Sequence, residues 1–154
     1  MHQHQARGSA RGFTLIELLV VVAILAMLAT IASIELRRAR ITTNEQLALN
    51  SLRLLAKSCQ FFFLVRNVYP TSLTELGPPT SDPPYVDQSL TVASPIKQGY
   101  AFTYTNPAPL SFTLLANPEV YSVTGVRHFY TDQTLVIHGT QEDRDATIGD
   151  PVVP

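Results

Sequence analysis

The apolar segment Phe13–Ile34 constrains this chain most, because it is long enough to cross a lipid bilayer. Its 22 residues carry a single charge, at Glu17, and a spanning helix needs about 20 predominantly apolar residues. The residues before it form a short polar leader that contains Arg7 and Arg11 and no acidic residue. A polar, basic leader before an apolar run is typical of a targeting segment. We therefore assign residues 1–12 to targeting and not to the fold.

The carboxylate of Glu17 needs a physical reason, since it lies within the apolar segment. Thr14 and Glu17 have the spacing of a capping box, in which the two side chains satisfy backbone donors at a helix start. A glutamate in the first turn also interacts favourably with the helix dipole. A charge inside a membrane costs roughly 2.5–3.5 kcal/mol near the helix centre and less near its end, so a cationic partner is expected.

An ordinary secretory signal is an alternative explanation for this segment. A basic start, an apolar stretch and the small residues around Ala32, just before Ser33, fit such a signal. However, the apolar run is longer than the usual length of about 7–15 residues. The charge at Glu17 also lies close to its start. Both features favour a membrane span over a cleaved secretory signal.

Residues 12–24, with the sequence GFTLIELLVVVAI, resemble the class III signal of type IV prepilins and pseudopilins. The resemblance combines a basic leader, Gly12 before the cut, Phe13 after it and Glu17 as the fifth residue of the new chain. It implies cleavage between Gly12 and Phe13 by prepilin peptidase and N-methylation of the Phe13 amine. It also implies that Glu17 pairs with the N-terminal amine of a neighbouring subunit in a filament.

The same resemblance implies a location and a set of partners. The precursor is expected to span the bacterial inner membrane once, with its head in the periplasm and lipids around its helix before assembly. The implied partners are the prepilin peptidase and N-methyltransferase, an assembly platform in the inner membrane, a motor ATPase and further copies of the chain. The expected function is a structural subunit of an extracellular type IV pilus-like filament. A pseudopilin of a type II secretion system, in a short periplasmic pseudopilus, is the alternative, and a membrane-anchored binding module that never polymerises is a third hypothesis.

The helix is predicted to continue beyond the apolar segment and to cover residues 13–68, because no Pro or Gly occurs between Phe13 and Pro70. Within the later part the apolar residues recur at steps of three and four, which predicts a single buried stripe. The residues of this stripe are Ala48, Leu49, Leu52, Leu55, Ala56, Cys59, Phe62 and Phe63. The helix is therefore membrane-spanning over 13–34 and amphipathic afterwards.

The remaining sequence predicts a small globular head over residues 69–140. Its second half changes to a period of two, which indicates four strands. These strands are Tyr100–Thr105, Ser111–Ala116, Val126–Tyr130 and Leu135–His138. The predicted fold class is α+β and pilin-like, with the long helix packed on a small antiparallel sheet of about four strands. Residues 141–154 are predicted to form an acidic flexible tail.

The sequence indicates neither catalysis nor a bound cofactor or metal. It contains no GxSxG, HExxH, P-loop or GxGxxG motif, so we predict that the chain is not an enzyme. A tight hairpin at Asp132 and Gln133 is expected to place His128 and His138 on opposite faces of the sheet, where they cannot share a metal. The lone Cys59 excludes a disulfide within the chain and, on the apolar stripe, is expected to be a buried thiol.

A basic cluster follows the apolar segment, and its arginines suit either DNA or lipid phosphates. The cluster consists of Arg37, Arg38 and Arg40. The formal net charge of the chain is −1, which gives no overall attraction to nucleic acid. The cluster also lies where the helix leaves the membrane, where lipid headgroups account for it. DNA is therefore a disfavoured partner.

Overall fold

The first element is a single α-helix, α1, at Leu15–Arg66. The structure is a computed structural model that describes residues 12–154, so most of the predicted leader, residues 1–11, lies outside the described residues. Asn67 ends the helix with a φ of 57°, and its N–H donates to the carbonyl of Phe63 at 2.7 Å. A left-handed residue at this position is a common helix terminator. The predicted uninterrupted helix is confirmed.

The chain divides into two units after Leu36. In the first unit, the described side chains of residues 13–36 are exposed. Among the described residues, α1 is the helix that is long and apolar enough to cross a membrane by length and composition. Its hydroxyl groups bond inside the helix, since Thr30 donates to the Met27 carbonyl at 2.7 Å and Ser33 donates to the Thr30 carbonyl at 2.8 Å. These bonds leave little unsatisfied polarity in this part of the helix.

The second unit contains a five-stranded antiparallel sheet that follows the chain order. The strands are β1 (Ile96–Lys97), β2 (Tyr100–Ala108), β3 (Ser111–Pro118), β4 (His128–Asp132) and β5 (Ile137–Thr140). Two short 3-10 helices, Leu73–Leu76 and Gln88–Leu90, lie between α1 and the sheet along the chain. The α+β fold class is confirmed, but the sheet has one strand more than predicted. The extra strand, β1, has only two residues and is too short to show an alternating pattern.

The core of the second unit forms between the apolar stripe of α1 and one face of the sheet. The buried residues of the helix are Ala48, Leu49, Leu52, Leu55, Ala56, Cys59 and Phe62, and those of the sheet include Tyr100, Phe102, Phe112, Leu114, Ala116 and Phe129. Phe63 is only partly buried and stacks on Tyr69 with ring centroids 4.7 Å apart. The stripe predicted from spacing is therefore the surface that packs into the core.

The loop between β3 and β4 is fastened to α1 by two polar side chains. The Val126 N–H donates to Oε1 of Glu45 at 3.0 Å, and Nδ2 of Asn44 donates to the Thr124 carbonyl at 3.0 Å. Glu45 is buried, and a buried carboxylate needs such a donor. The predicted strand start at Val126 is wrong, because this N–H bonds to the helix, and β4 begins at His128.

Gly125 lies in this loop at a point where no side chain fits. A Cβ at this position would lie 2.0 Å from the Tyr100 hydroxyl oxygen, and that hydroxyl donates to the Arg127 carbonyl at 2.8 Å. We expect Gly125→Ala to lower the free energy of unfolding by about 1–3 kcal/mol, the usual cost of overpacking a core. Thermal unfolding of the detergent-solubilised chain measures this effect. Gly149→Ala is the matched control, because its Cβ would meet nothing closer than 3.8 Å, and equal melting temperatures for the two variants would contradict the prediction.

The pairing of β4 with β5 corrects the predicted hairpin. Tyr130 lies opposite His138, and His128 lies opposite Thr140. The two histidines therefore share one face of the sheet, and the prediction of opposite faces is wrong. The connection is longer than a two-residue turn and contains Leu135 at a φ of 64°. This length displaces the register by an odd number of residues, which turns every side chain of β5 to the other face.

Residues 141–154 pack on the sheet, and the prediction of a flexible tail is wrong in this respect. The Val153 N–H donates to the Ile137 carbonyl at 2.8 Å, and the Gly139 N–H donates to the Pro151 carbonyl at 3.0 Å. Val153 itself is buried in the core. The tail therefore covers the open edge of β5, which otherwise presents unpaired backbone groups.

An internal ion pair also orders the tail. The Arg144 guanidinium donates to both carboxylate oxygens of Asp150, at 3.0 and 2.6 Å. Further hydrogen bonds reach Asp150 from the backbone and the hydroxyl of Thr147. The bonds from Arg144 and Thr147 hold the pKa of the Asp150 carboxyl well below its usual range. Two of the four acidic side chains of the tail, Glu142 and Asp150, thus pair with Arg144 within the tail.

Candidate functional site

The start of α1 is built by the capping box that the sequence predicts. The Thr14 N–H and the Thr14 hydroxyl each donate to Oε2 of Glu17 at 2.9 Å. In return the Glu17 N–H donates to the Thr14 hydroxyl oxygen at 3.3 Å. This reciprocal arrangement satisfies donors that a helix start leaves open. It also directs the carboxylate towards the beginning of the helix.

This geometry leaves one carboxylate oxygen of Glu17 for another partner. All the hydrogen bonds to Glu17 from residues 12–154 use Oε2, so Oε1 remains available. Phe13, the next residue towards the N-terminus, is 83% exposed. In the part of the chain that the structure describes, a Cβ at Gly12 would have no heavy atom within 4 Å apart from its chain neighbours. The backbone on both sides of the predicted cleavage site is thus open to an enzyme.

A second exposed apolar surface, which was not predicted from the sequence, lies along α1 in the second unit. We call it the outer strip; it consists of Leu47, Leu54, Phe61 and Val65 on the helix and Val68 just beyond its end. Phe61 is 59% exposed and Leu54 is 46% exposed. Regular spacing of seven residues from 47 to 68 is the signal that could have revealed it. Apolar side chains that share one exposed helix face make this strip a candidate interaction surface.

The sequence also singled out the Cys59 thiol and the basic cluster, and the structure shows that the thiol is buried whereas the cluster is exposed. Cys59 is fully buried, and burial raises the pKa of its thiol to about 12, so it is an inert core residue, as predicted. The side chains of Arg37, Arg38 and Arg40 are exposed. Within residues 12–154, no three His, Cys, Asp or Glu side chains are grouped in a way that could hold a metal ion.

Comparison with known proteins identifies the N-terminal segment. Residues 7–33 match the family model described as the prokaryotic N-terminal methylation motif. No curated protein and no solved structure matches the chain. The matched range contains Gly12, Phe13 and Glu17 together with most of the apolar segment. The predicted prepilin signal is therefore confirmed.

Proposed function

We propose that this chain, which carries the type IV prepilin signal and is a type IV pilin-like or pseudopilin protein, is a structural subunit of a pilus-like surface filament. The observation that carries the proposal is the exposure of apolar helix surface in both units. The described side chains of residues 13–36 in the first unit are exposed, and the outer strip of the second unit is exposed as well. Full burial of one large apolar side chain contributes about 1.5–3 kcal/mol. Lipid covers the first surface before assembly, and neighbouring copies cover both surfaces in the filament.

Processing begins at the open backbone between Gly12 and Phe13. Prepilin peptidase cleaves this bond and the attached methyltransferase activity methylates the new amine of Phe13. Cleavage creates a positive charge near the positive end of the helix dipole, which is unfavourable for an isolated helix. The carboxylate of Glu17 offsets this charge, and its Oε1 accepts a hydrogen bond from the amine of a neighbouring subunit. A buried pair of this kind selects the register of assembly.

The chain depends on other proteins for export and polymerisation. The precursor is anchored in the inner membrane with its head in the periplasm. The assembly platform collects processed subunits, and the motor ATPase supplies the energy, since the sequence contains no P-loop. The final location is the cell exterior. A pseudopilin of a type II secretion system is built by the same steps and ends in the periplasm.

The location of the processed chain tests this proposal. Filaments are sheared from intact cells, and their protein is compared with the membrane fraction by intact mass and N-terminal sequencing. A chain that begins at methylated Phe13 in the sheared fraction supports a surface pilus. The same chain in the membrane fraction alone supports the pseudopilin alternative. A chain that begins at Met1 or Ser33 in both fractions contradicts both assignments.

The outer strip gives a sharper prediction for assembly. We expect the double change Leu54→Gln and Phe61→Gln to leave folding and processing intact, because exposed positions usually alter stability by less than about 0.5 kcal/mol. The amount of sheared filament is expected to fall by about tenfold or more, since two apolar contacts of about 1.5 kcal/mol each are lost. Lys57→Gln changes an exposed polar residue of the same helix and serves as the control. Normal filament yield from the double variant would exclude the outer strip from the subunit contact.

A further inference from the structure

His128 is buried on the outer face of the sheet, where residues 141–145 lie against it. Its side chain is 7% exposed. The ring of Tyr121 lies over it with centroids 5.9 Å apart, and the Tyr121 hydroxyl donates to the Gln141 carbonyl at 2.6 Å. The side chain of Asp143 approaches from the tail, with Oδ1 at 3.7 Å from Nε2 of His128. We call residues 141–145 the flap.

A chain of hydrogen bonds fixes which nitrogen of His128 carries the proton. Nδ2 of Asn117 donates to Oδ1 of Asp145 at 2.7 Å, and a carboxylate can only accept. The amide oxygen of Asn117 must then face His128, where it lies 3.0 Å from Nδ1. Nδ1 is therefore the donor, and in the neutral ring Nε2 carries the lone pair. Nε2 is buried and has no hydrogen-bond partner among the described residues.

The lone pair of Nε2 thus faces another acceptor, the carboxylate of Asp143, and a cation is the species that would fit between them. A metal ion does not suit this position, because Nε2 is buried and the described residues supply no third ligand. A proton needs no additional space. Protonation in place creates a buried imidazolium, however, and burial of a charge is costly unless it is well paired.

The charges around His128 oppose one another. Asp143 and Asp145 favour the protonated ring, whereas Arg144 disfavours it. The side chain of Asp143 is 68% exposed, so water screens its attraction. Arg144 is held by Glu142 and Asp150 and remains beside the site. Asn117 on β3 and Tyr121 on the β3–β4 loop also face the ring. Burial therefore outweighs the carboxylates and lowers the pKa of His128 below its ordinary range.

We propose that the flap is an acid-released element, which detaches from the sheet when His128 takes up a proton. With the flap closed, His128 binds a proton less readily than it does in water. Opening of the flap exposes the ring and restores its ordinary basicity. Between the lowered pKa of His128 in the closed state and its ordinary pKa in the open state, the open state therefore binds more protons. By linkage, a fall in pH through this window favours the open state. The closed flap is fully stable above the ordinary histidine range and weakens below it.

Hydrogen exchange of the full chain in detergent micelles tests this proposal. Protection of the peptide that covers residues 141–146, corrected for the intrinsic pH dependence of exchange, is measured between about pH 7.5 and pH 5, the range in which histidine titrates. We expect protection to fall severalfold over this range, with a limit of about tenfold per pH unit for one coupled proton. His128→Gln removes the titrating group and is expected to abolish the change.

A second variant tests the direction of the coupling without removal of the histidine. Asp143→Asn deletes a charge that favours the imidazolium in the closed state, so the loss of protection should begin at the same pH, become larger and continue to a lower pH than in the unmodified chain. NMR titration of the ring is expected to show a lower pKa for His128 in this variant than in the unmodified chain. Asp82→Asn changes an exposed carboxylate in the loop before β1 and is the matched control. Protection that does not depend on pH would overturn the proposal, and so would protection that depends on pH equally in His128→Gln and in the unmodified chain. An unchanged pKa of His128 in Asp143→Asn would overturn it as well.

Discussion

A chain with Gly12→Val is expected to accumulate in the membrane as an uncleaved precursor. The proposed peptidase must place the bond after Gly12 against its catalytic groups, and a branched side chain displaces that bond. A displacement of about 1 Å can reduce a reaction rate by about 100-fold. Among the described residues, no heavy atom beyond the chain neighbours lies within 4 Å of a Cβ built at Gly12, so we expect the change to leave the fold of residues 13–154 intact. The defect is therefore assigned to the enzyme's recognition and not to misfolding.

Intact mass of the membrane fraction measures this effect, since the precursor retains residues 1–12. Gly8→Val introduces the same side chain four residues earlier in the leader and is the control, with normal cleavage expected. A Gly12→Val chain that begins at Phe13 would show that the cut does not depend on this glycine. Precursor accumulation in both variants would instead indicate that the leader as a whole had been disturbed.

A chain with Glu17→Ala is expected to be cleaved normally and to fail in assembly. The proposed ion pair between Glu17 and the Phe13 amine of a neighbour is buried when helices pack together. Loss of one partner leaves the other charge buried, which costs about 3–5 kcal/mol. Each subunit contact then weakens by a factor of about 100 or more, and we expect sheared filaments to be absent. Immunoblots of the sheared and membrane fractions give the measurement.

The capping role of Glu17 must be separated from its proposed pairing role. Thr14→Ala removes the hydroxyl that exchanges hydrogen bonds with Glu17 but keeps the carboxylate. Loss of a cap costs about 0.5–2 kcal/mol of helix stability, so this variant should still assemble. If Thr14→Ala fails to assemble as completely as Glu17→Ala, the capping box and not the ion pair is the essential feature. Normal filaments from Glu17→Ala would refute the pairing role.

Local patterns were sufficient to predict α1 and the geometry of its start. The uninterrupted helix, the apolar segment at Phe13–Ile34 and the capping box of Thr14 and Glu17 all depend on neighbours within one or two turns. The buried stripe could be predicted for the same reason, since the helical period fixes which side chains share a face. The outer strip has an equally regular spacing, but spacing does not say which of two apolar faces meets the sheet.

The sequence by itself therefore determined the helix, its cap, its buried stripe and the prepilin signal. Only the tertiary structure decided the register of β5, the packing of residues 141–154 and the burial of His128. These features depend on contacts between distant residues, such as the bond from Val153 to Ile137 and the approach of Asp143 to His128. A strand register changes face with a single residue of loop length, and an acidic tail has no periodicity that reveals its partners. Long-range packing supplies that information, because it selects one pairing among several that local preferences allow.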